Sequence, residues 1–239
     1  MVNPARTTLD QVAAIGPYFA VKCGEQPDGS RGFRPLTALY TDEDALTAYV
    51  RAVGRRIGTD HRRVAASTLH LGTASRLWSI ALGSAVLTGR APDLDPDRLW
   101  WRAPPSGPAE LWLPAPRELP QETATALHDT VAVRNLRPFA DAVHRVCGVS
   151  PQILRGNAAS ALVGALRVLL ARAPQSGQRA VPLVRALLGR EPLTGAGVLD
   201  VDRDEGTVAF RRRSCCLYYR VPGAGICGDC VLHTKERSA

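Results

Sequence analysis

Cysteine is nearly absent from the first 214 residues, where only Cys23 and Cys147 occur. Lysine is scarcer still, because 28 of the 30 basic residues are arginine. Aromatic residues make up 5% of the chain. That leaves few stacking platforms for single-stranded nucleic acid, and there is no zinc-finger, basic-zipper or RNA-recognition signature. No G-x-G-x-x-G or P-loop run occurs, so the chain does not read as a nicotinamide, flavin or nucleotide enzyme by itself. The start, "MVNPARTTLDQVAA", has no basic stretch followed by an apolar one, and no secretory signal is expected. Long hydrophobic runs are missing too. "LWSIALGSAVLTG" is short, and "LVGALRVLLARA" is interrupted by Arg167 and Arg172. These absences predict a cytoplasmic protein with at most peripheral membrane association and no nucleic-acid partner.

The chain does have the material for a core, with 239 residues of which 45% are hydrophobic. The net charge of +8 is compatible with a solvated basic surface or with attraction of an acidic partner or anionic ligand. "YFAVKCG" and "GFRPLTALYT" read as strands of a hairpin over 17–40, joined by the breaker run "EQPDGSRG". A helix is expected after Thr41 as N-cap, ending near Gly58. A long helical stretch follows from Asp60 to Gly89, with an apolar face broad enough for a central core helix. Residues 91–120 carry a second hairpin around "PPSGP", with Trp100, Trp101 and Trp112. It either packs over the helices or walls a cleft. Helices are expected at 121–133, at 136–147, from Ser150 and Pro151 to Arg172, and through "QRAVPLVRALLGR". A last hairpin turns at Asp204, Glu205 and Gly206. The fold class is α+β: a mostly helical body with a few β-hairpins and a small C-terminal hairpin and loop segment. The boundary is placed between a body, 1–196, and a C-terminal segment, 197–239.

That segment contains the other four cysteines, Cys215, Cys216, Cys227 and Cys230, in the pattern C-C-x10-C-x2-C. In a reducing compartment clustered thiols point to metal or redox chemistry before a disulfide framework. Cys227 and Cys230 form a C-x2-C knuckle, and "VPGAG" supplies the turn that brings it back to the first pair. The adjacent pair is unusual, because neighbouring side chains on a strand face opposite ways. Both thiols can serve one centre if the backbone bends or the centre is wide. A structural zinc site is compact and normally uses C-x2–4-C spacing. An iron–sulfur cluster is wider, and geometry favours it, with zinc and a thiol switch left open. By count, four cysteines fit a [2Fe–2S] or a [4Fe–4S] cluster equally.

"RRRSCCLYYRVPGAGICGDCVL" resembles the C-terminal segment of the ferric iron reductase family typified by FhuF. The resemblance is carried by Cys215, Cys216, Leu217, Tyr219, Pro222, Cys227 and Cys230, with an Arg just upstream. Trp78 and Asn157 are similar to recurrent positions of that family's helical body. Val231 stands where members often have proline, which affects a turn and not a ligand. The resemblance implies a [2Fe–2S] cluster on the four cysteines and a ferric siderophore as substrate. It also implies one-electron, outer-sphere reduction, fed by a cytosolic flavoprotein or ferredoxin-like donor. No catalytic residue beyond the cluster is then needed. The competing expectation is a structural-zinc or redox-sensing four-cysteine module that binds a protein or nucleic-acid partner.

The remaining candidates have ordinary explanations. His61, His70, His128 and His144 show no ligand spacing, and His233 reads as a solvated tail residue. Cys23 and Cys147 read as small buried groups. Arg211, Arg212 and Arg213 form either an exposed strand end or positive charge beside the cluster. Gly228, inside the knuckle, is expected to let backbone N–H groups approach the sulfurs.

Overall fold

The computed structural model describes residues 3–25, 32–202 and 207–234, with the side chains of His233 and Thr234 excepted. The expected turn at 204–206, most of the "EQPDGSRG" run and the side chain of His233 therefore lie outside the described residues. The fold is α+β and mostly helical, as expected.

Helix α1 spans Pro4–Ala13, and Asn3 caps it by accepting from the N–H groups of Ala5 and Arg6. A short α2, Ala38–Thr41, leads into α3, Glu43–Ile57. The cap of α3 is Asp42 and not Thr41, because Thr41 still belongs to the preceding helical turn. Asp42 is extended and accepts from the Ala45 N–H, and Gly58 closes the helix in the left-handed conformation. Helix α4 spans Arg62–Thr88 and is buried along most of its length. It is the central helix that its broad apolar face predicts. Around it pack α3, α1 and α6 (Arg137–Cys147), and most extensively α7, Pro151–Arg172. Helix α7 starts at the predicted Ser150 cap. By length and composition α7 is apolar enough to cross a membrane, but 67% of that stretch is buried inside the fold.

Between them, α5 (Thr123–Leu127) and α6 (Arg137–Cys147) were expected as separate helices. They are joined without a break by a π-helical segment, His128–Leu136. The wider winding suits Pro138, which has no N–H to donate to the preceding turn. Helix α8, Gly177–Leu188, completes the helical set.

The first expected hairpin does not form. Strands β1 (Lys22–Cys23) and β2 (Arg34–Pro35) lie at opposite edges of a four-stranded sheet of order β1-β4-β3-β2. The second expected hairpin, β3 (Trp100–Arg102) with β4 (Glu110–Leu113), fills the middle. It offers one edge to β1 in parallel and the other to β2 in antiparallel. Trp101 and Trp112 are buried, the former stacked on Tyr49 and the latter edge-on to Phe33, so these rings serve packing.

Strands β5 (Gly197–Asp202) and β6 (Thr207–Arg212) form the last hairpin. It lies on α7, where Arg167 donates to the Val208 carbonyl at 2.9 Å and Phe210 enters the core.

Candidate cluster site

Strand β6 ends at Arg212, so the adjacent cysteines are not on a strand. The chain bends just after them, because Leu217 is left-handed, with φ 68°. For a branched side chain that conformation costs about 1–2 kcal/mol. The bend turns the Leu217 N–H back onto Cys215 Sγ at 3.3 Å. The same arrangement recurs at the other three cysteines of the motif. Cys216 receives the N–H of Tyr218, Cys227 that of Asp229, and Cys230 that of Leu232 at 3.4 Å. Each thiol thus accepts from the residue two positions on. Gly228 is not among these donors. A Cβ there would meet nothing, so the expected role for this glycine is not supported.

All four thiols are free. Cys216 and Cys227 touch, with sulfurs 3.5 Å apart, and Cys215 lies within electrostatic reach of Cys216 and Cys230. Among the described residues no three His, Cys, Asp or Glu side chains close on one point as a single-ion cage. The hydrogen bond from Cys227 holds Cys216 down to about 6, helped by the Tyr218 N–H and the charge of Arg212. The same contact, with burial, pushes Cys227 up. Burial likewise raises Cys215.

Arg212 separates from its neighbours in the basic run. Arg211 and Arg213 are exposed, whereas Arg212 is 1% exposed. Its Nη2 donates to Asn157 Oδ1 at 2.6 Å, while Nε and Nη1 have no partner among the described residues. Its charge acts on Cys215, Cys216 and Cys227. A buried cation with orphaned donors is costly unless an anion compensates it. A cluster on four thiolates is dianionic, so this donor set and this cation fit such a group.

Polar fasteners hold the segment to the body. Ser67 of α4 donates to the Cys216 carbonyl at 2.7 Å. Asn157 of α7 donates to Ser67 and accepts from Arg212, tying both helices to the tail. Asp229, inside the knuckle, receives Arg167 at 2.7 Å and the hydroxyl of Ser160. The Arg212 N–H donates to the Asp229 carbonyl, joining the two halves of the motif. Gly156 allows this approach, since a Cβ there would fall 2.9 Å from Arg212 Nη2 and closer still to Ser214 Oγ.

Sequence reasoning missed Ser67, Ser160, Arg167 and Asp229. The available signal was polar residues at buried helical positions, as with Ser67 and Asn157 in otherwise apolar stretches. His70 is fully buried against Phe139, with both ring nitrogens unpartnered, and burial lowers it to about 3. His128 and His144 contact the backbone carbonyls of Glu191 and Val149, and the structure does not bring these histidines together.

Residues 212–232 match the family model of the FhuF 2Fe-2S C-terminal domain. The match begins at buried Arg212 and contains all four cysteines. The cofactor of this segment is a [2Fe–2S] cluster. No curated protein matches the chain.

Proposed function

We propose that this protein is a ferric siderophore reductase of the cytosol, with a [2Fe–2S] cluster held by Cys215, Cys216, Cys227 and Cys230. The observation that carries this reading is the FhuF-domain match over a segment where four thiols gather beside a buried cation. When bound, such a cluster supplies one electron at a time, enough to convert chelated Fe(III) to Fe(II). Hard oxygen chelators hold Fe(II) far less well, so reduction releases the metal.

The residues around the cluster set its behaviour. The four N–H donors and the Arg212 charge stabilise added negative charge on the sulfurs and raise the reduction potential. Ser67, Asn157 and Asp229 fix the segment against the body, so little reorganisation accompanies electron transfer. The chemistry needs no proton donor. An electron donor, a cytosolic flavoprotein or ferredoxin-like protein, would dock on the outer face of the segment. That face exposes Tyr219, Arg220 and Ile226, with Arg211 and Arg213 nearby in sequence.

The test is reduction of a panel of ferric siderophores by the chemically reduced protein, with Fe(II) trapped by a chromogenic chelator. One Fe(II) per cluster oxidised is expected for at least one siderophore. A colourless protein with one zinc per chain, or a coloured one that reduces no ferric chelate, overturns the reading.

A further inference from the structure

We infer that the cleft between α4 and α7 beside Tyr218 is the binding site of the ferric chelate, and that it selects anionic chelates with planar aromatic arms. The inference rests on the reductase reading above. The cleft has a volume of about 530 Å³, in the range of small-molecule sites. Its lining includes Tyr18 from the loop after α1, Gly72 on α4, Gly164, Val168 and Arg172 on α7, and Tyr218.

The two glycines point to a ligand. Glycine inside a helix is destabilising relative to alanine, so its presence calls for a reason. On α4, Gly83 has one: a Cβ there would press on Val12 at 3.0 Å and Phe19 at 3.1 Å. Gly72 and Gly164 have no such neighbour, since a Cβ at either would meet nothing within 4 Å. They are not needed for packing. What they do is leave the floor of the cleft low on both helices.

The position is right for a substrate of the cluster. Tyr218 is two residues from Cys216 and gives that thiol its N–H. Thr68, another lining residue, follows the Ser67 that holds the Cys216 carbonyl. The cleft therefore shares a wall with the cluster segment. A second hollow of about 290 Å³ continues from it, sharing Tyr18, Thr68 and Gly72, and gives further room for a multi-armed ligand.

The lining sets the class of chelate. Tyr18 is 42% exposed and, with Tyr218, puts two aromatic side chains in the lining, the residue type that stacks on planar arms. Arg172 is exposed and has no hydrogen-bond or ion-pair partner among the described residues. An unpaired guanidinium at the rim favours a negatively charged complex, in a chain of net charge +8.

The probe is a hexadentate Ga(III) tris-catecholate, which is trianionic and redox-inert. Its binding to the cluster-loaded protein is measured by equilibrium dialysis and compared with that of a neutral Ga(III) tris-hydroxamate. Gly72→Leu and Gly164→Leu should each weaken tris-catecholate binding roughly tenfold or more. Neither should lower Tm or the cluster absorption per chain, because each new side chain starts into open space, with nothing within 4 Å of its Cβ. Arg172→Gln should weaken the trianionic chelate roughly tenfold and leave the neutral one unchanged. Leucine variants that bind like the wild type overturn the cleft assignment, and equal losses for both chelates with Arg172→Gln overturn the anion preference. If those variants bind normally while the wild type still reduces ferric chelates, the cleft inference falls alone. A wild type that neither binds nor reduces any chelate takes the reductase reading with it.

Discussion

The middle and the start of helix α4 are held in different ways. Its middle packs through Leu77, Trp78, Ile80 and Leu82, all fully buried in one continuous core. Each such side chain contributes about 1.5–3 kcal/mol by leaving water, with no dependence on one partner. Nearer its start, Ser67 meets the tail through one hydroxyl, in a chain of contacts that passes to Asn157 and Arg212. Hydrogen bonds of this kind contribute about 0.5–1.5 kcal/mol net, and about 1.5–3 where one partner is charged. Leaving one partner buried and unmatched is the larger effect. The buried arginines show the same contrast. Arg76 of the body donates through both terminal nitrogens to the carbonyls of Pro17 and Ala20, leaving only its Nε without a partner among the described residues, and burial lowers it to about 10. Arg212 has one firm partner and two orphaned donors beside the thiols. The body is built to be stable by redundancy, whereas the tail depends on a few polar contacts and on what the thiols bind.

The largest expected effect separates the cysteines of the two regions. Cys227→Ser should bring iron content and visible absorption to background, because the hydroxyl would replace one of the four thiols proposed to hold the cluster. Cys147→Ser places a hydroxyl in the body core and should lower stability by about 1–3 kcal/mol while the colour stays. Loss of colour in the Cys147 variant would show that the ligand set is wrong.

Arg212→Met is the next largest. It removes the buried cation and the link to Asn157 but leaves the apolar core intact. The potential should fall by about 60 mV or more, a tenfold change for a one-electron couple. Hydrogen exchange should quicken in 212–232 and stay slow in α4. An unchanged potential would mean that the charge of Arg212 is not felt at the cluster.

How much of this was legible in the sequence follows from the same contrast. Helix α4, the cap at Ser150 and the Trp hairpin are local: their signals are periodicity, a capping residue and a turn, all within a few residues. The four cysteines were legible because spacing alone marks them. The edge strands Lys22–Cys23 and Arg34–Pro35 were misplaced because a pair of two-residue strands carries no register signal, and the β3–β4 hairpin decides where they add. Asn157, Ser160, Arg167 and Asp229 were not legible as a set. Their meaning lies in contacts across more than fifty positions, which no local pattern encodes. Arg212 looked like Arg211 and Arg213 until burial separated it from them.

A smaller effect is set by pH at the junction of the two regions. His70 stays neutral in the fold down to about pH 3, held there by burial and by the charge of Arg212. Unfolded, it takes a proton near its ordinary value of 6.5. Above that value neither state is protonated, and the contribution of His70 to stability is complete. As pH falls from 6.5 toward 3, only the unfolded state gains the proton, and stability falls by about 1.4 kcal/mol per unit. His70→Leu removes both this slope and two unpartnered nitrogens. Its urea midpoint should change less between pH 7 and pH 5 than that of the wild type, and parallel curves would refute this assignment.

The smallest effect compares two glycines on one helix, and it isolates packing from propensity. Gly156→Ala and Gly164→Ala make the same chemical change on α7, and each should gain up to about 1 kcal/mol in helix propensity. At Gly164 nothing opposes the gain, because the added methyl enters open space. At Gly156 the methyl meets Ser214 and Arg212, and overpacking of this kind costs about 1–3 kcal/mol. The first variant should therefore raise Tm with the cluster unchanged. The second should lower Tm slightly and loosen the cluster segment, read as faster loss of iron to a chelator. Opposite signs on one helix would locate the strain at the junction with the tail. Equal gains would mean that the tail yields to the new methyl, and that its docking on α7 is softer than its hydrogen bonds imply.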